Sequence, residues 1–300
     1  MSQARPPSIL MSAWARTSVK ICFISSLFLC QRATDINDKE RFHPRRRWDT
    51  QAVNIVLFEA AETTRPLALE DPRARHVLDV LRRTAGESFD VGLIDGPRGK
   101  AVVESVTDEH LVLSFAWDTV LPEADRITLI AGLCRPQTSR RVLREAATLG
   151  VAGMLFARTD RSERTYADSS LWTSGEYQRH VRAGVEQAFA TRMPTVAVGM
   201  DLGEAITTAA GDTRIALDNY EGITPLHRVS VTVGASIVLA AGSERGWTAA
   251  ERDLLRDAGY ELAGMGSRVL RTETAVIGAL AVVKAISGAW DTGPTVDTRE

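Results

Sequence analysis

Apolar and polar positions change their rhythm near Asp125, and the two rhythms predict two kinds of structure. Upstream, from Val53, apolar runs are short and broken by turn residues. Asn54 to Phe58, Phe89 to Gly96, Ala101 to Val106 and Leu111 to Trp117 are predicted strands, with Asp95-Gly96 as a turn signal. Asp71 to Arg83 is predicted as a helix, because Val77, Leu78 and Leu81 fall on one face. Residues 53–122 thus read as a small β-rich domain, and Leu121 to Asp125 as a linker.

Downstream, strands alternate with helices over 125–290, which predicts an α/β domain with a parallel sheet. The expected strands are Ile127 to Leu133, Val151 to Ala157, Thr195 to Val198, Ile215 to Leu217 and Ile237 to Ala241. The expected helices are Ser139 to Leu149, Ser174 to Phe189, Ala249 to Ala258 and the strongly apolar Thr274 to Ile286. Thr248 with Glu251 three residues on forms a capping box. Residues 291–300 read as a disordered tail.

Residues 1–52 fit neither rhythm. Ile21 to Cys30 is an apolar run behind Arg5, Arg16 and Lys20, followed by the basic stretch Arg41 to Trp48. The run is shorter than the ~20 residues that span a bilayer, and no small-x-small cleavage site follows. Three readings stay open: an extension preceding a true start near Val53, a disordered tail that assists RNA binding, and an export signal.

The whole chain has 300 residues, 44% of them apolar, enough for one or two globular domains. With 36 basic and 38 acidic residues its formal charge is −2, so any nucleic-acid surface must be local. Cys22, Cys30 and Cys134 form no CxxC and no His/Cys cluster, which argues against structural zinc and a disulfide framework. No Walker A, GxGxxG after a strand, GxSxG or HExxH is present.

Two polar, glycine-bearing loops carry the candidate chemistry. Gly242-Ser243-Glu244-Arg245-Gly246 follows a predicted strand and precedes a helix, the place where open α/β sheets bind ligands through backbone N–H groups. The plainer alternative is a strand-to-helix turn in which glycine supplies positive φ. Gly266 to Ala275 packs Arg268, Arg271, Glu273 and the hydroxyls of Thr272 and Thr274 before an apolar helix. Its plainer alternative is N-capping by Thr272, with Glu273 favouring the helix dipole. Glu186-Gln187 with Arg192-Met193-Pro194 reads as a polar stripe or an exposed helix face, and His76 as a half-buried histidine beside basic residues. His110, His180 and His227 have no partner at ligand spacing.

These motifs, in this order, resemble the RsmE family, bacterial 16S ribosomal RNA (uracil-N3)-methyltransferases of the SPOUT class. The carriers are His76-Val77-Leu78-Asp79-Val80-Leu81-Arg82, Ala147-Thr148-Leu149-Gly150-Val151, Glu186-Gln187 with Arg192-Met193-Pro194, Gly242 to Gly246, and Gly266 to Ala275. The resemblance implies a PUA-like RNA-binding domain, then a SPOUT-type α/β domain with a C-terminal trefoil knot, an exception to ordinary chain connectivity. It implies a cytoplasmic homodimer acting on 16S rRNA of the 30S subunit, with S-adenosylmethionine as cofactor and no metal or membrane. The cofactor would lie against Leu217, Ala241, Gly242, Ser243, Glu244, Gly246, Gly266, Val269, Leu270, Thr272 and Thr274. Arg268, Arg271 and Glu273 would be catalytic, and Arg65, His76, Arg82 and Arg192 would contact RNA.

The chain departs from the family pattern in three places. The family loop usually reads Gly-Pro-Glu-Gly-Gly, so Arg245 replaces a glycine and would be strained at positive φ. Thr148 stands where glutamate is frequent, and Arg135 to Thr138 replaces a lysine-glycine stretch. Glu273 could accept the N3 proton, or Arg268 and Arg271 could stabilise the uracil anion; charge stabilisation is the favoured route. Two alternatives stand beside this reading: an RNA-binding assembly factor with weakened turnover, and a SPOUT methyltransferase acting on a ribose 2′-hydroxyl.

Overall fold

A computed structural model of the chain describes residues 54–121 and 125–291. The readings of residues 1–52 and of the tail beyond Asp291 lie outside the described residues, as do Cys22 and Cys30.

The first sheet has five strands in the order β1-β3-β4-β5-β2. These are β1 (Val56–Phe58), β2 (Leu67–Ala68), β3 (Ser88–Leu93), β4 (Arg98–Val106) and β5 (His110–Trp117). β1 and β3 run parallel, and the remaining pairs are antiparallel. Alternate inward positions such as Val56, Phe58, Phe89, Val91, Ala101, Val103 and Leu111 form its core with Ala74, Val77 and Leu81. The helix predicted over Asp71 to Arg83 is shorter. Asp71 caps α1 (Pro72–Arg75), accepting from the Arg73 N–H at 2.8 Å. The chain then widens into a π-type turn, where the Leu81 N–H reaches the His76 carbonyl at 2.9 Å. Arg82, at φ 54°, turns the chain out of the helix.

The second sheet holds seven strands in the order β10-β12-β9-β11-β6-β7-β8, and every pair is parallel. Its strands are β6 (Ile127–Gly132), β7 (Gly153–Arg158), β8 (Thr195–Asp201), β9 (Thr213–Leu217), β10 (Thr224–Pro225), β11 (Ile237–Ala241) and β12 (Glu261–Gly264). All five residues of β11 are buried, as expected for a strand covered on both faces. Ile127, Leu129, Ala131, Ile237 and Leu239 face one cluster, packed with α2 (Pro136–Thr148), α3 (Ser170–Thr173), α4 (Glu176–Gln187) and α7 (Thr272–Ile286). Ile130, Val238 and Ala240 face the other, packed with α5 (Leu202–Thr208) and α6 (Ala249–Asp257). The Thr248–Glu251 capping box opens α6 as expected. β2, β10, β12, α3 and α5 have no counterpart among the predicted elements.

The small sheet docks on α4 through its edge strand. Ile55 and Leu57 join the core cluster that contains Val181 and Val185 of α4. The Ile55 N–H donates to the Glu186 carbonyl at 3.2 Å, the Leu57 N–H reaches Glu186 Oε1 at 3.5 Å, and Arg182 donates to the Leu57 carbonyl. Glu186 is therefore a docking residue rather than part of an exposed stripe. Asp95, at φ 55°, makes a second clasp. Its carboxylate accepts from the Met193 N–H at 3.0 Å, and the Thr191 hydroxyl donates to the Gly96 carbonyl at 2.6 Å.

β12 lies hydrogen-bonded between β9 and β10, so the segment that joins those two strands runs past it. The crossing is close: a Cβ on Gly222 would sit 2.7 Å from the Ala263 carbonyl carbon, and one on Gly264 would sit 2.7 Å from the Gly222 carbonyl oxygen. Neither position has room for a side chain.

Candidate functional site

Three neighbouring strands end in one row. Leu217 of β9 is in register with Ala241 of β11 and Ala263 of β12, and these residues floor a cleft at the carboxyl edge of the sheet. Three loops wall it: 218–220, 242–246 and 265–270.

The 242–246 loop is a tight turn in which the Gly246 N–H donates to the Ser243 carbonyl at 2.9 Å. Positive φ falls on Gly246, at 67°, and not on Arg245. The expected strain at Arg245 is thus absent, because the turn places its left-handed residue one position later. Trp247 is buried and its indole N–H donates to the Leu217 carbonyl at 3.0 Å, which ties this loop to β9. Beneath the loop, a Cβ on Gly132 would come within 2.4 Å of the Ser243 nitrogen, so glycine at the end of β6 lets the loop backbone descend. Ser243 is only 5% exposed, and its hydroxyl has no hydrogen-bond partner. A buried orphan hydroxyl beside an open cleft is the group a bound ligand would satisfy.

The Glu244 carboxylate accepts from the Arg135 N–H at 2.9 Å, joining the loop to the start of α2. Cys134 lies buried next to it, with its thiol donating to the Gly132 carbonyl at 3.0 Å. Burial first, then the Glu244 carboxylate, push this thiol well above its ordinary value, so it remains protonated.

The 218–222 turn is held by Asp218. One carboxylate oxygen accepts from the N–H groups of Tyr220, at 2.8 Å, and Glu221, at 2.6 Å. The other pairs with Arg252 of α6 at 2.7 Å, and the two side chains are 2% and 8% exposed. Gly266, at φ 93°, turns the third loop. Arg268, Val269, Leu270 and Thr272 line the cleft, whereas Arg271, Glu273 and Thr274 stand beyond its lining. Thr272 begins α7 and does not cap it; the N-cap is Arg271, whose side chain makes no capping bond. Glu273 accepts from Arg141 of α2 at 2.9 Å. Arg268 and Arg271 have no carboxylate within ion-pair distance among the described residues.

The chain matches long stretches of known proteins. The family described as RNA methyltransferase domain matches residues 122–284. The chain is 34% identical over 252 residues to ribosomal RNA small subunit methyltransferase E of Treponema pallidum, covering 79% of this chain and 93% of that relative. The chain belongs to this family. A second member, ribosomal RNA small subunit methyltransferase E 1 of Borreliella burgdorferi, is 23% identical over 76% of this chain and 95% of its own. In architecture the chain is similar to ribosomal RNA small subunit methyltransferase E of Neisseria gonorrhoeae, solved bound to S-adenosyl methionine. That match has a TM-score of 0.64 at 24% identity, over 77% of this chain and 98% of that one.

The predicted cofactor set therefore converges, with the exception of Thr274, which is exposed. The predicted RNA contacts do not join it. Arg65, His76 and Arg82 lie in the small-sheet region. Arg192 lines a separate hollow with Asp95, Gly150 and Met193. Sequence reasoning missed Gly132, Asp218, Tyr220 and Arg252. Asp218-Asn219-Tyr220-Glu221-Gly222 carried a turn signal after a strand, but nothing in it announced a site wall. Among the described residues no group of three or more His, Cys, Asp or Glu could hold a metal ion. No described helix is long and apolar enough to cross a membrane.

Proposed function

We propose that this protein transfers a methyl group from S-adenosylmethionine to N3 of a uridine in 16S rRNA of the small ribosomal subunit. The observation that carries the reading is the cleft above Leu217, Ala241 and Ala263, with a buried orphan hydroxyl on one wall and two unpaired arginines at and beside the other. The residues fit a ligand with a flat apolar part and a polar, charged end. Leu217, Ala241, Val269 and Leu270 supply apolar surface. Backbone groups of 242–246, the Ser243 hydroxyl and Thr272 supply polar contacts. When bound, the cofactor supplies an electrophilic methyl group on a sulfonium.

Uracil N3 carries a proton and becomes a nucleophile as that proton passes to solvent water. Negative charge then spreads to the two ring carbonyls. Arg268 and Arg271, free of carboxylate partners, are suited to stabilise it. Glu273 already accepts from Arg141, which favours the arginine route over proton removal by this carboxylate. Single-turnover rates across pH test the assignment. Arg271→Ala should lower the rate by roughly 10²-fold, the cost of losing one preorganised donor, while Glu273→Gln retains most of it. Wild-type rates in both variants would remove these residues from the mechanism.

Other parts of the reading are supported by position. The passage of β12 between β9 and β10 is consistent with a trefoil knot. Val269 and Ile223, 83% and 93% exposed near the cleft, are the kind of apolar surface a second copy covers in a homodimer. The small sheet would serve as the PUA-like RNA-binding part, and a ribosomal substrate implies a cytoplasmic protein. The alternative of an assembly factor with weakened turnover rests on the altered Gly-Ser-Glu-Arg-Gly loop, and of its two departures the strain at Arg245 is absent while the added cation remains.

A further inference from the structure

Tyr220 stands at the lip of the cleft with 73% of its surface exposed, although it is a large aromatic side chain. Its backbone is pinned, because the Tyr220 N–H and the next one both donate to Asp218 Oδ1. Its ring is braced from one side. The Arg252 guanidinium lies 5.3 Å from the ring centroid, within cation–π range. Arg252 is itself fixed by the buried Asp218 carboxylate at 2.7 Å and reaches Glu221 at 3.5 Å. The ring therefore rests on a buried, ion-paired support while most of its surface stays exposed in the cleft lining.

An aromatic ring held this way is a surface for a flat π system. Resting on the reading above, we propose that Tyr220 is a stacking platform for the target pyrimidine base of the RNA. N3 lies on the pairing edge of uracil, so the base must leave its helix or loop stack before its N3 can be reached, and it needs a replacement stacking partner. Tyr220 offers one in a cleft that the carboxylate-free Arg268, suited to meet a backbone phosphate, also lines. The adenine of the cofactor is the other flat group in the reaction. The floor of the cleft, however, is the aliphatic row Leu217, Ala241 and Ala263, and the exposed position of Tyr220 matches a group arriving from solvent.

The test uses the full-length protein, small ribosomal subunits that lack the methyl group, and a uridine-rich single-stranded RNA oligonucleotide. Tyr220→Ala should lower kcat/KM for subunits and weaken oligonucleotide binding by about tenfold or more, the range of one lost base–aromatic stack. Affinity for S-adenosylmethionine, measured by calorimetry, should stay at the wild-type value. Tyr220→Phe keeps the ring and should restore both RNA readouts. The platform is overturned if Tyr220→Ala leaves both RNA readouts unchanged. It is equally overturned if the loss appears in cofactor affinity, which would assign the ring to adenine. Absence of methyl transfer by the wild-type protein would instead strike the proposed function, and oligonucleotide binding would still decide the role of Tyr220.

Discussion

Ser243 concentrates two opposing demands in one side chain. Its hydroxyl is buried without a partner, which costs the free protein about 1–3 kcal/mol relative to a satisfied group. Ser243→Ala should therefore leave the free protein as stable or raise its thermal midpoint by a few degrees, while weakening S-adenosylmethionine binding. Scanning calorimetry and a cofactor titration read the two effects; a less stable free protein with unchanged affinity would contradict the account. The residues of this site were unequally legible in the sequence. Gly242 to Gly246 and Gly266 to Leu270 each form one contiguous loop, and a loop between strand and helix advertises itself. Gly132, Asp218 and Tyr220 come from the ends of other strands. Their closeness arises from sheet order, which leaves no local signature. The sequence also misplaced the left-handed residue of the 242–246 loop, because the choice between Arg245 and Gly246 depends on where the turn closes.

Among the elements, α6 acts on the cleft through one ion pair. Arg252 and Asp218 are buried together, and removing one partner strands the other as an uncompensated charge. Arg252→Leu should destabilise the fold by about 3–5 kcal/mol in urea unfolding, and adding Asp218→Asn should recover part of that loss. If the double variant is no better than the single one, the pair is not coupled. α2 and α4 are joined by Arg140 and Glu176, and Arg140, followed by His180, holds the Glu176 carboxyl down to about 2 from 4.5. A depressed folded value stabilises above the unfolded value and is lost as pH falls through the folded one. The stability advantage of wild type over Arg140→Met should hold from pH 7 to about 5 and shrink steadily toward pH 3. A pH-independent difference would show that the pair acts by packing. Element type was legible where periodicity was long, as in α2, α4, α6 and α7. β12 was missed, since Glu-Leu-Ala-Gly is short and holds three residues depleted in strands. Only its place between β9 and β10 makes it a strand.

At the scale of the molecule, the two sheets share a core through Ile55 and Leu57, and Asp95 clasps the segment that follows α4. The far end of α7 is anchored as well: the buried Lys284 pairs with Asp125 and donates to the Leu149 carbonyl at 2.7 Å. The cleft is thus built on a frame fixed at both ends, and its loops close over three adjacent strand ends. The change of rhythm at Asp125 made the α/β class and the separate small sheet legible from periodicity alone. The docking of the sheets was not, because Glu186 and Asp95 look like any exposed helix or turn residue until their partners arrive. The central claim is a reaction, and one measurement addresses it directly. Small ribosomal subunits lacking the methyl group are incubated with the full-length protein and tritium-labelled S-adenosylmethionine, and the modified nucleotide is mapped by mass spectrometry. The account predicts a single methyl group on N3 of a uridine in 16S rRNA. A methyl on a ribose 2′-hydroxyl, or no transfer by protein that binds the cofactor, would contradict it.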